Sequence, residues 1–254
     1  MLWDSVNIGL TNRCNARCSF CPVSETDIQR MDMSMDMIES IIQQTKGKLR
    51  SHISLALFGE STLHPQFNEI VRYIRSQTNI HLILYTNGID IDRALDGINM
   101  LDRVTVSVDA TDRDEYLKIK GIDAYDRVME NIKRIKSFTV AQFAALPYKR
   151  GLSKPIGADR IKHGRYITWG GEIMWDSPTQ RKVRKPMLCG YLNKNLFIGS
   201  NGDVVICCID YNHKYVAGNI QELSLEEIWN GEKMNEFRKK QVGFDICINC
   251  ETEV

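Results

Sequence analysis

Residues 14–21 read Cys-Asn-Ala-Arg-Cys-Ser-Phe-Cys and place three cysteines on one short stretch. A [4Fe–4S] cluster has four irons, so three thiolates leave one iron without a protein ligand. A zinc site normally has four ligands in paired spacings, and no fourth ligand lies near these cysteines in the sequence. A ferredoxin-type electron carrier would also supply a fourth cysteine. The spacing therefore favours an iron–sulfur cluster with an open site.

The composition of the 254-residue chain sets broad limits on its class. The chain is 43% hydrophobic, which is enough for a substantial core, and its length suits one large domain with a small addition. Its 33 Lys and Arg balance its 32 Asp and Glu, so bulk charge predicts neither a nucleic-acid surface nor a membrane surface. No run of 18 apolar residues and no signal sequence occur, so we expect a cytoplasmic protein. Its eight cysteines then indicate metal binding or catalysis rather than disulfides.

Short apolar runs alternate with amphipathic helical patterns up to about residue 146, which is typical of βα units around a parallel sheet. Apolar stripes with helical spacing lie between the runs and predict helices packed on that sheet. We therefore expect an α/β fold, a truncated partial (β/α) barrel of about five parallel strands over residues 1–146. The predicted strands are 6–10, 53–58, 81–85, 104–108 and 138–144.

The sequence changes character after residue 146. Residues 147–186 are rich in Lys, Arg and Gly, and we expect an irregular connector there. Residues 187–254 predict a small C-terminal module with a β-hairpin, because two apolar runs flank the turn-forming pair Asn201-Gly202. The capping box that runs from Ser224 to Glu227 predicts the start of a short helix in the same module.

The C-x3-C-x2-C spacing after an apolar strand resembles the signature of the radical S-adenosylmethionine (SAM) superfamily. This resemblance implies that Cys14, Cys18 and Cys21 hold a [4Fe–4S] cluster whose open iron is chelated by the amino and carboxylate groups of SAM. It also implies cleavage of SAM to methionine and a 5′-deoxyadenosyl radical, which abstracts hydrogen from a substrate. Phe20 matches the aromatic position whose backbone faces adenine in this superfamily.

Three further strand ends resemble SAM-binding elements of the superfamily. Gly59 and Glu60 match an element whose strand-end carbonyls and glutamate accept hydrogen bonds from the SAM ammonium. Asn87 matches an element near the methionine and ribose, and Ser107 with Asp109 matches one close to SAM and substrate. Ligands of open parallel α/β folds bind at such strand ends, although a turn at Asn87 or a helix cap at Asp109 is the alternative.

A second group of cysteines, Cys189, Cys207, Cys247 and Cys250, lies in the C-terminal module. Four thiolates saturate a [4Fe–4S] cluster, and the pattern resembles the twitch domain, a shortened SPASM module of radical SAM enzymes. A structural zinc site with four cysteines is the alternative, because the C-x2-C half fits either metal. We interpret Cys208 as a spare: on a strand its side chain should face away from that of Cys207, as a small hydrophobe.

The whole layout resembles the aminocyclitol (2-deoxy-scyllo-inosamine) dehydrogenases of this superfamily. We therefore expect a radical SAM oxidoreductase that removes two electrons from a small polar, hydroxylated molecule. The auxiliary cluster would accept the substrate electron, and a flavodoxin- or ferredoxin-type protein would supply electrons. One alternative is a radical SAM enzyme that modifies a peptide, nucleotide or other larger substrate by epimerisation or bond formation; another is a non-enzymatic iron–sulfur or zinc protein. The candidate substrate-binding or base residues are Lys149, Arg150, Glu172 and Asp210.

Overall fold

The apolar runs of the sequence lie side by side in one sheet of the computed structural model, which describes residues 3–24, 26–143, 155, 157–163, 189–240, 243–248 and 250. The strands are β1 (Trp3–Ile8), β2 (Leu49–Leu55), β3 (His81–Thr86), β4 (Arg103–Ser107), β5 (Phe138–Phe143), β6 (Arg160–His163), β7 (Asn195–Ile198), β8 (Asp203–Val205) and β9 (Val216–Asn219). The helices are α1 (Met35–Thr45), α2 (Phe67–Gln77), α3 (Leu95–Ile98), α4 (Arg113–Lys120), α5 (Tyr125–Arg134), α6 (Gly190–Lys194), α7 (Leu225–Asn230), α8 (Glu232–Lys240) and α9 (Asp245–Ile248).

The strand order of the sheet is β6-β5-β4-β3-β2-β1-β7-β8-β9. Strands β1 to β6 pair in parallel, and β7 pairs in parallel with the other side of β1. Val6 in β1 thus pairs with Ile53 on one side and with Leu196 on the other. Strands β8 and β9 continue the sheet in antiparallel pairing. The C-terminal hairpin therefore extends the barrel sheet, and all its parallel strands end at one common edge.

The predicted α/β partial barrel is confirmed, and each of the five predicted strands is present. The structure adds β6, a sixth parallel strand inside the segment predicted to be an irregular connector. Its sequence Arg-Ile-Lys-His has no apolar run, and Arg160 and Lys162 are exposed. The predicted domain limits at residues 146 and 187 lie outside the described residues.

Three helices end at residues that satisfy free backbone groups. Ser34 caps α1 by accepting a hydrogen bond from the Met37 backbone, and Ser224 forms the predicted capping box of α7 with Glu227. Helix α4 ends at Gly121, which has a left-handed conformation with φ of 66°. Within the described ranges, every helix is too short or too polar to cross a membrane.

Two tryptophans join the first strand to the C-terminal helices. Trp3 of β1 is buried and packs edge-to-face against Trp229 of α7, with ring centroids 6.1 Å apart. The guanidinium of Arg238 in α8 lies 4.0 Å from the centre of the Trp229 ring. The C-terminal module is thus fixed to the barrel both by strand pairing and by a shared core.

Candidate functional site

The three N-terminal cysteines lie in the loop after β1 and line a cavity of about 250 Å³ at the carboxyl edge of the sheet. The loop is closed by a hydrogen bond from the Cys21 backbone N–H to the Cys18 carbonyl, at 3.1 Å. The strand ends of β2, β3 and β4 form the opposite wall. The structure therefore brings to one cavity all the residues proposed as SAM contacts: Phe20, Gly59, Glu60, Asn87, Ser107 and Asp109.

Gly59 allows the end of β2 to pack directly against the start of the cysteine loop. A Cβ atom at this position would lie 2.1 Å from the Thr11 carbonyl oxygen and 3.0 Å from that of Arg13, and φ is +148°. The next residue, Glu60, donates its backbone N–H to the Arg13 carbonyl at 2.8 Å. Gly59 is therefore needed for a close backbone approach that sets the distance between the cysteines and the sheet edge.

The Glu60 carboxylate is buried and already accepts several hydrogen bonds. Its Oε1 accepts from the hydroxyls of Thr62 and Thr86, at 2.9 and 2.7 Å, and its Oε2 accepts from the Asn87 backbone N–H at 2.7 Å. Burial raises the pKa of Glu60, against the lowering effect of these donors. Since a carboxylate oxygen has two lone pairs, Oε2 can accept one further donor from the cavity.

The Asn87 side chain connects the end of β3 to the cysteine loop. Its Nδ2 donates to Asn15 Oδ1 at 2.7 Å and lies 3.9 Å from the sulfur of Cys14. Its Oδ1 accepts the Ile89 backbone N–H at 2.9 Å, and Gly88 has φ of +71°. Asn87 therefore forms the turn expected of an Asn-Gly pair and also faces the cysteines.

The three thiols are partly buried. Burial raises the pKa of Cys14 to about 11, with a further contribution from Glu60, and burial raises the pKa of Cys21 to about 12. Thiols of this kind stay protonated at neutral pH until a metal displaces the proton. Three sulfur donors on one loop, with oxygen acceptors on the facing strand ends, fit an iron–sulfur cluster with a polar ligand beside it.

A buried ion pair lies against the cysteine loop. Lys120 Nζ donates to Asp109 Oδ2 at 2.5 Å, and the two side chains are only 2% and 1% exposed. Burial opposes the Lys120 charge, but Asp109 and Cys18 outweigh it and raise the pKa of Lys120. The ammonium also lies 5.6 Å from the centre of the Phe20 ring.

The sequence analysis does not identify Lys120, because a single lysine in a charged helix is expected to be exposed to solvent. The signal that could have found it is its position four residues after Tyr116 and directly before Gly121. Four-residue spacing places Lys120 on the same buried face as Tyr116, at the last turn of α4. In that position Lys120 is the buried ion-pair partner of Asp109.

Three of the four C-terminal cysteines, Cys189, Cys207 and Cys250, lie near one another. Cys189 precedes α6, Cys207 follows β8, and Cys247 and Cys250 lie in and just after α9. Burial first, and then the nearby sulfurs of Cys207 and Cys250, raise the pKa of Cys189. The four cysteines supply the sulfur donors that a second, fully ligated cluster needs.

The structure corrects the prediction that Cys208 faces away from Cys207. Strand β8 ends at Val205, so the alternation of side chains along a strand does not extend to these two residues. The two thiols interact, and a hydrogen bond with Cys208, together with burial, raises the pKa of Cys207 well above its usual value. Cys208 and Tyr191 both pack against a small apolar cluster that includes Phe197 and Val205.

Two tyrosines lie between the cysteine groups. Tyr85, at the end of β3, lines the cavity, and Tyr191 lies in α6 next to Cys189. Burial, the sulfurs of Cys208 and Cys207, and the Tyr85 hydroxyl raise the pKa of Tyr191 to about 12. Neither tyrosine hydroxyl has a hydrogen-bond partner in the part of the chain that the structure describes. Half-buried phenols of this kind are suited to a polar ligand.

The four polar candidates for substrate binding have different outcomes. Asp210 is buried, and its two carboxylate oxygens accept the backbone N–H groups of Lys214 and Tyr215, each at 2.9 Å. These bonds hold the loop after Cys207 in shape. Lys149, Arg150 and Glu172 lie outside the described residues.

Comparison with known proteins relates this geometry to families. A family model described as the radical SAM superfamily matches residues 8–143, and one described as an iron–sulfur cluster-binding domain, SPASM, matches residues 189–251. GTP 3′,8-cyclase of Chlorobaculum tepidum is 30% identical over 135 residues, which cover 52% of this chain and 41% of that protein. A probable GTP 3′,8-cyclase of Saccharolobus solfataricus is 30% identical over 51% of this chain and 42% of its own length. The chain thus matches about two fifths of the length of these relatives.

Solved structures match over more of the chain at lower identity. BtrN in complex with AdoMet and 2-DOIA has a TM-score of 0.70 and 19% identity, and the match covers 99% of this chain and 94% of BtrN. SuiB of Streptococcus suis bound to its precursor peptide SuiA has a TM-score of 0.75 and 14% identity, and the match covers 100% of this chain and 72% of SuiB. At these identities the comparison shows a shared fold, a partial barrel followed by a C-terminal module.

Proposed function

Because the chain belongs to the radical SAM superfamily, we propose that Cys14, Cys18 and Cys21 hold its SAM-binding cluster and that SAM occupies the cavity beside them. Membership implies SAM and a [4Fe–4S] cluster as cofactors, and the SPASM match implies an auxiliary cluster. When bound, these groups supply a 5′-deoxyadenosyl radical that abstracts hydrogen from the substrate. Enzymes of this class use a reductant, and we propose a flavodoxin- or ferredoxin-type donor.

The residues around the cavity divide the recognition of SAM among them. Oε2 of Glu60, which can accept one more donor, receives the SAM ammonium together with strand-end carbonyls. The backbone at Phe20 would face the adenine, Asn87 would lie near the methionine and ribose, and Ser107 would lie close to SAM and substrate. Asp109 would affect the SAM site mainly by holding Lys120, because its carboxylate forms the buried ion pair with that lysine.

We assign the auxiliary cluster to the second cysteine group, Cys189, Cys207, Cys247 and Cys250. These four thiols leave no iron open, so this cluster does not bind SAM and is suited to electron transfer or to holding the fold. Cys208 is not a ligand in this assignment.

We propose that the substrate is anionic and bound between the two groups, near the hydroxyls of Tyr85 and Tyr191. The chain leaves β5 at Phe143 and β6 at His163, at the edge where the cavity lies. The sequence over residues 144–188 carries ten Lys and Arg against three Asp and Glu. Such a basic stretch favours a phosphorylated or otherwise anionic substrate.

The reaction that we propose is bond formation or epimerisation on a nucleotide. The observation that carries it is the 30% identity over the barrel to proteins named GTP 3′,8-cyclase. Abstraction of hydrogen from a ribose carbon leaves a radical that can add to the base or recover hydrogen on the opposite face. Cyclisation is completed when the product radical takes up one electron from the reductant and one proton, and epimerisation when the ribose radical takes a hydrogen atom from a donor thiol, so both products keep the atom count of the nucleotide.

A second candidate is the two-electron oxidation of a small hydroxylated molecule. The observation that favours it is the match to BtrN over nearly the whole length of both chains. In this reaction the substrate loses one hydrogen atom, then a proton and an electron. The auxiliary cluster would be the electron acceptor.

The test is anaerobic incubation of the reconstituted, reduced protein with SAM and one candidate substrate at a time. The panel is GTP, ATP, CTP, UTP and 2-deoxy-scyllo-inosamine, and mass spectrometry follows 5′-deoxyadenosine and product. Cyclisation or epimerisation gives a product of unchanged mass, whereas oxidation gives one lighter by two hydrogens. Failure of all four nucleotides to stimulate SAM cleavage, together with oxidation of the aminocyclitol, would reject the first candidate in favour of the second.

A further inference from the structure

Among the described residues that line the first cavity, Lys120 is the one cation. It is the last residue of α4, and its side chain is 2% exposed, so water does not screen its charge. The cavity otherwise presents three thiols and the carboxyl groups of Glu60 and Asp109. A single fixed positive charge therefore stands among groups that are negative when the cysteines bind metal.

The position of Lys120 relative to the cysteines is fixed by backbone contacts. The Lys120 carbonyl accepts the Arg17 N–H, and the Ile119 carbonyl accepts the Ser19 N–H, both at 2.9 Å. At the helix end, a Cβ on Gly121 would lie 2.6 Å from the Arg17 carbonyl oxygen. The last turn of α4 is thus bonded to the loop that carries the cysteines, and the ion pair with Asp109 holds the ammonium.

The ammonium of Lys120 lies against the cysteine loop. It is 5.6 Å from the centre of the ring of Phe20, which stands between Cys18 and Cys21 in the sequence. Lys120 also lines the same cavity as the three cysteines. Its positive charge is therefore held beside the proposed cluster ligands.

From this geometry, and resting on the proposed function of the three cysteines, we propose that Lys120 is a positioning residue that sets the reduction potential of the SAM-binding cluster. Reduction adds one negative charge to the cluster. A buried cation held nearby stabilises the reduced state more than the oxidised state, because Coulomb interactions are strong away from water. Asp109 keeps the ammonium charged and in place, and it moderates the effect.

The experiment measures the potential of the first cluster by redox titration followed by electron paramagnetic resonance, without SAM. The variants are Lys120→Met, Lys120→Arg, Asp109→Asn and the double variant Asp109→Asn/Lys120→Met, which leaves no unpaired buried charge. Lys118→Met, an exposed lysine of the same helix, is the matched control. A Cys18→Ala variant, which keeps only the second cluster, supplies the reference signal.

Loss of the lysine charge is expected to make reduction at least tenfold less favourable, a shift of about 59 mV to more negative potential for one electron. This shift should occur in Lys120→Met and in the double variant. Lys120→Arg and Lys118→Met should stay close to the wild type, and Asp109→Asn should shift in the opposite direction. If Lys120 acted only in folding, the reduction potentials of the variants would not follow this order.

Three results would overturn the proposal. The first is an unchanged potential in both variants that lack the lysine charge while the first cluster is present. The second is a change in SAM affinity alone, which would assign Lys120 to the SAM carboxylate. The third is loss of the first cluster from all three Lys120 variants, Lys120→Arg included. A wild-type protein that holds no first cluster would instead refute the proposed function.

Discussion

At the scale of single residues, the site depends on backbone approach as much as on side-chain chemistry. Gly59 lies against the Thr11 carbonyl so closely that a methyl group cannot be accommodated. We expect Gly59→Ala to displace the cysteine loop and to lower the free energy of unfolding by about 1–3 kcal/mol, in the range of overpacked sites. The iron content of the reconstituted protein should fall with it.

Gly47→Ala is the control for this substitution. Gly47 also has positive φ, 72°, but nothing lies within 4 Å of a Cβ at that position. Gly47→Ala should therefore lower the free energy of unfolding only by the backbone strain, about 1 kcal/mol. The variant should keep the iron content of the wild type. Equal losses of iron in the two variants would contradict the packing role of Gly59.

Glu60 provides a second prediction at this scale. In Glu60→Gln, an amide replaces the carboxylate that accepts the Asn87 N–H, and the negative charge facing the SAM ammonium is removed. Loss of a charged hydrogen bond costs roughly 1.5–3 kcal/mol, so SAM should bind about 10- to 150-fold more weakly with iron content unchanged. Isothermal titration calorimetry measures the dissociation constant. A constant equal to that of the wild type would remove Glu60 from the SAM site.

At the scale of elements, strands and helices with strong apolar patterns were predictable, and the polar ones were not. Strands β3, β4 and β5 follow continuous apolar runs, and the structure has them within one or two residues of the predicted limits. Strand β6 escaped prediction because a polar edge strand depends on its pairing with β5 rather than on burial. The sequence does not predict helix α4 for a similar reason, because most of its residues are charged. Its lysine, Lys120, is buried because it forms an ion pair with Asp109, which the sequence pattern does not show.

Helix α7 allows a test of local structure apart from the site. Ser224 accepts the Glu227 N–H, and the Glu227 carboxylate accepts the Ser224 N–H in return. Ser224→Ala should lower the free energy of unfolding by about 1 kcal/mol, the usual value of an N-cap. Denaturant unfolding measures this loss, and Ser51→Ala at an exposed strand position should show much less. No difference between the two variants would mean that the cap does not stabilise the fold.

At the scale of the whole molecule, the pairing of β1 with β7 is the feature that sequence could not provide. Ser5 and Asn195 are 190 residues apart, yet their side chains share a hydrogen bond of 2.9 Å across the sheet. No local pattern encodes a partner at that distance. The motifs predicted each cysteine group separately, whereas the pairing of β1 with β7 joins the strands that carry both groups in one sheet.

The adjacent cysteines test the assignment of the second group. Cys208→Ala should keep about eight irons per chain, because the four proposed ligands and the three of the first cluster are intact. Cys207→Ala should retain about four. Iron and sulfide analysis after anaerobic reconstitution measures both. If Cys208→Ala loses the second cluster and Cys207→Ala keeps it, the two residues exchange roles.

The central claim is that this fold cleaves SAM reductively at the first cysteine loop. The most direct measurement is the formation of 5′-deoxyadenosine from SAM by the anaerobically reconstituted, reduced protein, compared with Cys18→Ala. The wild type should form 5′-deoxyadenosine, and the variant should form none while keeping about four irons in the second cluster. Equal amounts of 5′-deoxyadenosine from both proteins, or none from a wild type that holds both clusters and binds SAM, would contradict the account.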